Sequence, residues 1–286
     1  MERRPPKTTR KAKSKKKTNK LTPGRIFKYS FLVLLLSFIV AVGYQYRHGL
    51  LYWLGFKTNS RMEVLSKEES RLESLRIYEI LARHKGKVYG IDVSHYQGNI
   101  DWPVVKAQNS AVPLDFVFIR ATMGEDRDGE FRTNWDAAKS QGFLRGAYHY
   151  YRPDENSLEQ ADNFIKHVKL SKGDLPPVLD IEKIPNKQSM DSLHSGLKRW
   201  LDKVEKHYGM KPIIYSGESF YTDFLKEEFE GYKLWIANYN FFEDKIRKDW
   251  LIWQFTDKAT LNGIEGPVDL NIYNGSLDEL KRMIKK

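Results

Sequence analysis

From Lys87 onward, short apolar runs alternate with segments whose apolar residues recur at helical spacing. Eight runs read as strands: VYGIDVS (88–94), DFVFIRATM (115–123), LRGAYHYYR (144–152), PPVLDIE (176–182), KPIIYSG (211–217), KLWIANY (233–239), LIWQFTD (251–257) and VDLNIY (268–273). Several are apolar almost throughout, as strands buried on both faces are. The clearest helix runs from Ser189 to Tyr208. Its Leu193, Leu197, Trp200, Leu201, Val204 and Tyr208 share one face, and Gly209 ends it. Further helices are expected near 102–109, 133–141 and 157–170. The last two strands leave little room for a helix between them. Mostly alternating strands and helices predict an α/β fold, an irregular TIM-like (β/α) barrel with fewer helices in its C-terminal part. A doubly wound open sheet is the alternative.

The pattern before Lys87 is different. Residues 29–46 (YSFLVLLLSFIVAVGYQY) carry no charge, and as a helix they would span roughly 27 Å, close to a hydrocarbon core. Arg25 and Lys28 precede the segment, Arg47 follows it, and Tyr44, Tyr46, Tyr52 and Trp53 gather at its far end. It is expected to be a single-pass signal-anchor helix. A cleaved signal peptide, with Ala41-x-Gly43 as its site, and a buried core helix are the alternatives. Residues 47–86 then read as a linker or short helical stalk. Leu65, Leu72, Leu75, Ile80 and Leu81 form only a partial apolar stripe there.

Charge sharpens this division. The 286 residues carry a formal net charge of +11, yet residues 1–28 alone hold twelve Lys/Arg and one acid, Glu2. The other 258 residues hold 36 basic and 36 acidic side chains. The basic character is therefore a tail suited to anionic lipid, and the body has no field that would attract nucleic acid. The tail fits a cytoplasmic N-terminus, which places the body outside the cytoplasm at the cell membrane. Cysteine is absent, which excludes disulfides, thiolate metal sites and a thiol nucleophile.

Candidate chemistry lies where a barrel carries it, at strand ends. Asp92 ends the first strand, Asp180 and Glu182 end the fourth, and Asp269 lies in the last. Asp180 and Glu182 are two apart in a strand, so both point to one face and perturb one another's ionisation. Hydrolysis of a glycosidic bond needs that division between an acid and an anion. An acid at a strand end can equally cap the next turn. Aromatics fit a sugar site: Tyr148 and Tyr150 share a face, Tyr215 ends the fifth strand, and Trp235 and Tyr239 lie in the sixth. Each would serve equally as core. Arg120 could bind sugar hydroxyls, orient an acid or form a structural ion pair. His95 and His149 are open to ligand or structural roles. No phosphate-binding loop, nucleophile elbow or zinc motif occurs, and no metal or cofactor is implied.

Taken together, YGIDVSHYQGNIDW, FVFIRATMG, GFLRGAYHYYRP, LPPVLDIE, PIIYSG, LWIANY, WQFTD and GIEGPVDLNIYNG resemble glycoside hydrolase family 25, the Chalaropsis-type lysozymes, over about two-thirds of the chain, Tyr89 to Leu277. The resemblance implies cleavage of the β-1,4 bond from N-acetylmuramic acid to N-acetylglucosamine in peptidoglycan glycan strands. It implies essential acids at Asp92, Asp180, Glu182 and Asp269, with Glu182 as general acid/base. Asp180 would be the nucleophile or the carboxylate that steers the substrate's acetamido group. Tyr215 and Asn271 fall at site-lining positions. Arg120 and Met123 stand where many members have Lys and Glu. No obligate protein partner is evident. A chitinase-like glycosidase, a catalytically silent wall-binding tether and a membrane scaffold are the competing readings.

Overall fold

The computed structural model describes residues 67–108 and 113–286, together with residues 31, 32, 35 and 37. Its contacts divide the chain into Met1–Phe56 and Lys57–Lys286. In the first unit the four described residues are helical and exposed. The remainder of the expected span 29–46 lies outside the described residues, and among those described no helix is long and apolar enough to cross a membrane.

In the second unit, helix α1 (Lys67–Arg83) precedes strand β1 (Val88–Val93). Then follow α2 (Trp102–Gln108), β2 (Leu114–Met123), β3 (Asp126–Arg127), α3 (Phe131–Ser140), β4 (Leu144–Tyr150), α4 (Ser157–His167) and β5 (Val178–Asp180). The chain continues with α5 (Met190–Tyr208), β6 (Ile213–Gly217), α6 (Glu218–Phe220), β7 (Lys233–Ala237), β8 (Ile252–Ala259), β9 (Val268–Tyr273) and α7 (Leu277–Arg282). Ser189 caps α5 through the Ser192 amide, and Gly209 ends it at φ 67° in the left-handed region.

The sheet runs β1-β9-β8-β7-β6-β5-β4-β2, and β2 pairs back onto β1. It is therefore a closed eight-stranded barrel, not an open doubly wound sheet; β3 is a two-residue addition on β2. Every barrel pairing is parallel except those of β9, which runs antiparallel to both β8 and β1. This explains the missing helix. A parallel pair needs a crossover, whereas β8 and β9 are joined by a short direct loop. It also explains α7: a reversed β9 ends at the floor of the barrel, where Leu280 packs with Val88, Phe116 and Leu175.

Phe116, Phe118, Tyr148, Tyr215 and Trp235 fill the interior. Room for two of these rings comes from glycines on the neighbouring strands. A Cβ at Gly90 would lie 2.4 Å from the Phe116 ring, and one at Gly146 2.2 Å from Phe118. On the outer side, Trp200 of α5 stacks on His149 at 5.3 Å and packs on Phe164 of α4.

Over residues 67–83 the expected linker or helical stalk is a helix, α1, that lies against β8. α1 is docked: Ile80 and Arg76 are buried, and the Arg76 guanidinium donates to Phe255 O at 2.6 Å and Asn240 O at 3.2 Å. Thr256 Oγ1 donates to Glu73 at 2.8 Å. The charges of Arg76 and Glu73 are thus satisfied by β8 and the loop after β7.

Candidate active site

Seven parallel strands deliver their carboxyl ends to one mouth of the barrel, and antiparallel β9 delivers its amino end to the same mouth. Asp269, second in β9, is thereby the direct cross-strand partner of Asp92, fifth in β1. Asp180 closes β5 between Tyr150 of β4 and Tyr215 of β6. Glu182 follows two residues later, where Ile181 N–H still bonds Tyr215 O at 3.1 Å. The structure thus brings together the four acids expected from the sequence. Asp92 and Asp180 are buried; Glu182 and Asp269 are half-buried.

These carboxyls are within electrostatic reach of one another. Burial raises Asp92 to about 6, with hydrogen bonds from Asn271 and Gln254 opposing the shift and Glu182 adding to it. Burial pushes Asp180 well above the carboxylate range, reinforced by Glu182, Asp92 and Asp269, while Arg120 pulls it back. Asp269 is likewise raised by burial, then by Asp92, Asp257 and Glu182. One buried oxygen of Asp180, Oδ1, has no hydrogen-bond partner. Such a cluster cannot ionise fully; it holds protons at neutral pH and titrates as a set.

Beneath the acids lies a polar layer with a fixed direction. The indole N–H of Trp235 donates to Asn271 Oδ1 at 2.8 Å, and Asn271 Nδ2 donates to Asp92 Oδ2 at 2.8 Å. Tyr215 and Tyr239 hydroxyls both donate to Gln254 Oε1, and Gln254 Nε2 donates to Asp92 Oδ2 at 2.7 Å. An indole N–H can only donate, so it fixes the Asn271 amide with its NH2 toward Asp92. Asp92 is thus held as a hydrogen-bond acceptor from two sides.

The residues expected to touch sugar separate into two groups. Tyr148, Tyr150 and Tyr215 surround Asp180: the latter two are its strand neighbours, and Tyr148 feels Asp92, Asp180, Asp269 and Arg120. Trp235 is 1% exposed and Asn271 fully buried, so neither meets sugar directly here: Asn271 holds Asp92, and Trp235 holds Asn271. Arg120 donates through Nε to Asp128 Oδ2 at 2.9 Å and lies within reach of Asp180. His149 is buried between Thr122 and Gln160, and burial lowers it to about 3. That makes it a neutral structural residue. Gln254 and Asp128 were not singled out in the sequence. A lone Gln inside the apolar run IWQF was the available signal for the first; Asp128 lies in a loop and offered none. Among the described residues no cluster suits a metal ion.

The model of the family described as "Glycosyl hydrolases family 25" matches residues 91–264. Escherichia coli (strain K12) protein YegX is 42% identical over 202 residues, 69% of this chain and 73% of that protein. Lysozyme M1 of Streptomyces globisporus is 31% identical over 210 residues, 68% of this chain and 70% of that protein. The solved family 25 glycosyl hydrolase from Bacillus anthracis superimposes with a TM-score of 0.63 at 32% identity, covering 70% of this chain and 95% of that one. With the closed barrel and its acid-lined mouth, these matches place the chain among the glycosyl hydrolases of family 25, and it is a member of that family.

Proposed function

We propose that the chain is an N-acetylmuramidase, a lysozyme that hydrolyses the β-1,4 bond between N-acetylmuramic acid and N-acetylglucosamine in peptidoglycan. The observation that carries this reading is the convergence of Asp92, Asp180, Glu182 and Asp269 on one mouth, with Asp180 buried and Glu182 more accessible. Glu182 is the general acid that protonates the leaving oxygen and then the base that activates water. Asp180 attacks the anomeric carbon or steers the substrate's acetamido group; either role needs its ionised form, which burial and the neighbouring acids oppose and Arg120 favours. Asp92 and Asp269 hold the proton balance of the pair. Tyr148, Tyr150 and Tyr215 present the surfaces nearest the reacting sugar.

The uncharged segment 29–46 behind a basic tail supports a membrane anchor, with the tail in the cytoplasm and the barrel outside it. The test incubates the full chain and its Glu182→Gln variant with purified peptidoglycan and reads released fragments by mass spectrometry. A muramic-acid reducing end from the parent, absent from the variant, is expected. Intact glycan from both, with the folded protein bound to it, would replace this reading with a non-catalytic tether.

A further inference from the structure

Beside the acids, on the β1 side of the mouth, stands a cluster of which the proposed reaction uses Arg120 alone. The chain leaves β1 through a 3-10 turn, His95–Gln97, three residues after Asp92. Asp128, buried in the loop ahead of α3, pins this turn. Its Oδ2 accepts from the His95 backbone N–H at 3.0 Å and from Arg120 Nε at 2.9 Å, and lies 3.0 Å from His95 Nδ1. Its Oδ1 accepts from Glu130 N–H at 3.0 Å. The Arg120 guanidinium also contacts His95 Nδ1. Nδ1 is therefore engaged from two sides, and Nε2 is the ring nitrogen left to meet a ligand. The His95 side chain is 43% exposed.

Tyr96 is the other half of the cluster. The residue is 74% exposed, and its ring lies 4.3 Å from the His95 ring with the Arg120 guanidinium over it at 4.9 Å. The backbone beneath it is fixed by a capping box between Ser94 and Gln97, and Gln97 Nε2 reaches Pro267 O at the entry to β9. An exposed aromatic ring on a turn fixed by a capping box, backed by a cation and flanked by an imidazole, has the form of a carbohydrate platform. The ring face meets the C–H face of a pyranose, and the imidazole meets a hydroxyl or an amide N–H. The guanidinium behind it links the platform to the reacting pair, because the same Arg120 acts on Asp180.

We infer that His95 and Tyr96, pinned by Asp128 and Arg120, form an additional sugar subsite at the β1 edge of the mouth, which takes an N-acetylated hexosamine ring of the glycan strand beyond the two rings flanking the cleaved bond. This rests on the muramidase reading, and the test separates the two. Full-length parent, Tyr96→Ala, Tyr96→Trp and His95→Ala are assayed on the N-acetylmuramic acid–N-acetylglucosamine disaccharide, which has only the two rings flanking the cleaved bond, and on the alternating oligomer of four repeats. Binding of the four-repeat oligomer is measured by calorimetry with each change placed in Glu182→Gln. Tyr96→Ala is expected to raise KM and Kd for the longer oligomer about tenfold, the scale of one well-placed aromatic contact. Its kcat on the disaccharide should stay at the parent's value, and Tyr96→Trp should bind the four-repeat oligomer as the parent does. Equal Kd for parent and Tyr96→Ala on the four-repeat oligomer would overturn the subsite. So would an equal loss on both lengths, or an equal loss in Tyr96→Trp. If no variant cleaves but Tyr96→Ala still weakens binding, the subsite stands and the muramidase reading falls.

Discussion

Replacing Asp92 by Asn should make the protein more stable at neutral pH while damaging its chemistry. Asp92 accepts two hydrogen bonds on one oxygen, from Gln254 and Asn271, and an amide oxygen can accept both. What the change removes is the charge. Folding raises this carboxyl from 3.8 to about 6, so the folded state holds the proton more tightly than the unfolded chain. Ionising it at pH 7 therefore costs about 3 kcal/mol, two pKa units and a little more. As pH falls below about 6 the folded form regains its proton and the cost shrinks, to under about 1 kcal/mol at pH 4. Asp92→Asn should accordingly gain up to about 3 kcal/mol at pH 7, about 6–12 °C in melting temperature for a unit of this size, and almost nothing at pH 4. Urea unfolding followed by the fluorescence of the seven tryptophans at both pH values measures it. No gain at pH 7, or an equal gain at both, would refute the reasoning: Asp92 would then be ionised without penalty. Peptidoglycan release measured in parallel should fall, since the site would lose part of its proton balance.

Two more expectations follow from the packing. His149 has the opposite linkage: burial lowers it to about 3, so its contribution to stability is full above pH 6.5 and is lost as pH falls toward 3, by about 4 kcal/mol. His149→Gln should flatten that part of the acid-unfolding curve, read by circular dichroism from pH 7 to 3. Gly146→Ala places a methyl 2.2 Å from the Phe118 ring and should destabilise by about 1–3 kcal/mol. Phe118→Leu in the same chain should restore part of the loss in urea unfolding.

How much of this was legible depended on whether a feature is local. The strands were, because buried runs such as FVFIRA and PVLDIE are apolar through their length. Asp180 and Glu182 could be read as a pair because a strand's period of two is local too. The direction of β9 was not written in its own residues; only the short 260–267 connection hinted at it, and with it the reason Asp269 sits opposite Asp92. Whether Trp235 and Asn271 touch sugar or support the site from below was not legible, because residue type cannot tell the floor of a site from its wall. Their meeting, 36 residues apart in sequence, is a product of closure. The docking of Arg76 was not legible for the same reason: its partners, Phe255 and Asn240, lie 179 and 164 residues away.

The reversal of β9 also sets how the molecule can be handled. In a barrel of uniformly parallel strands, whatever follows the last strand starts at the catalytic rim. Here the chain passes the rim before β9 and leaves from the floor, where Leu280 is packed and Lys285 N–H bonds Asp174 O at 2.8 Å. A label, surface tether or fused partner attached beyond α7 would sit on the face opposite the acids. The mouth would stay open to a polymer as large as the cell wall.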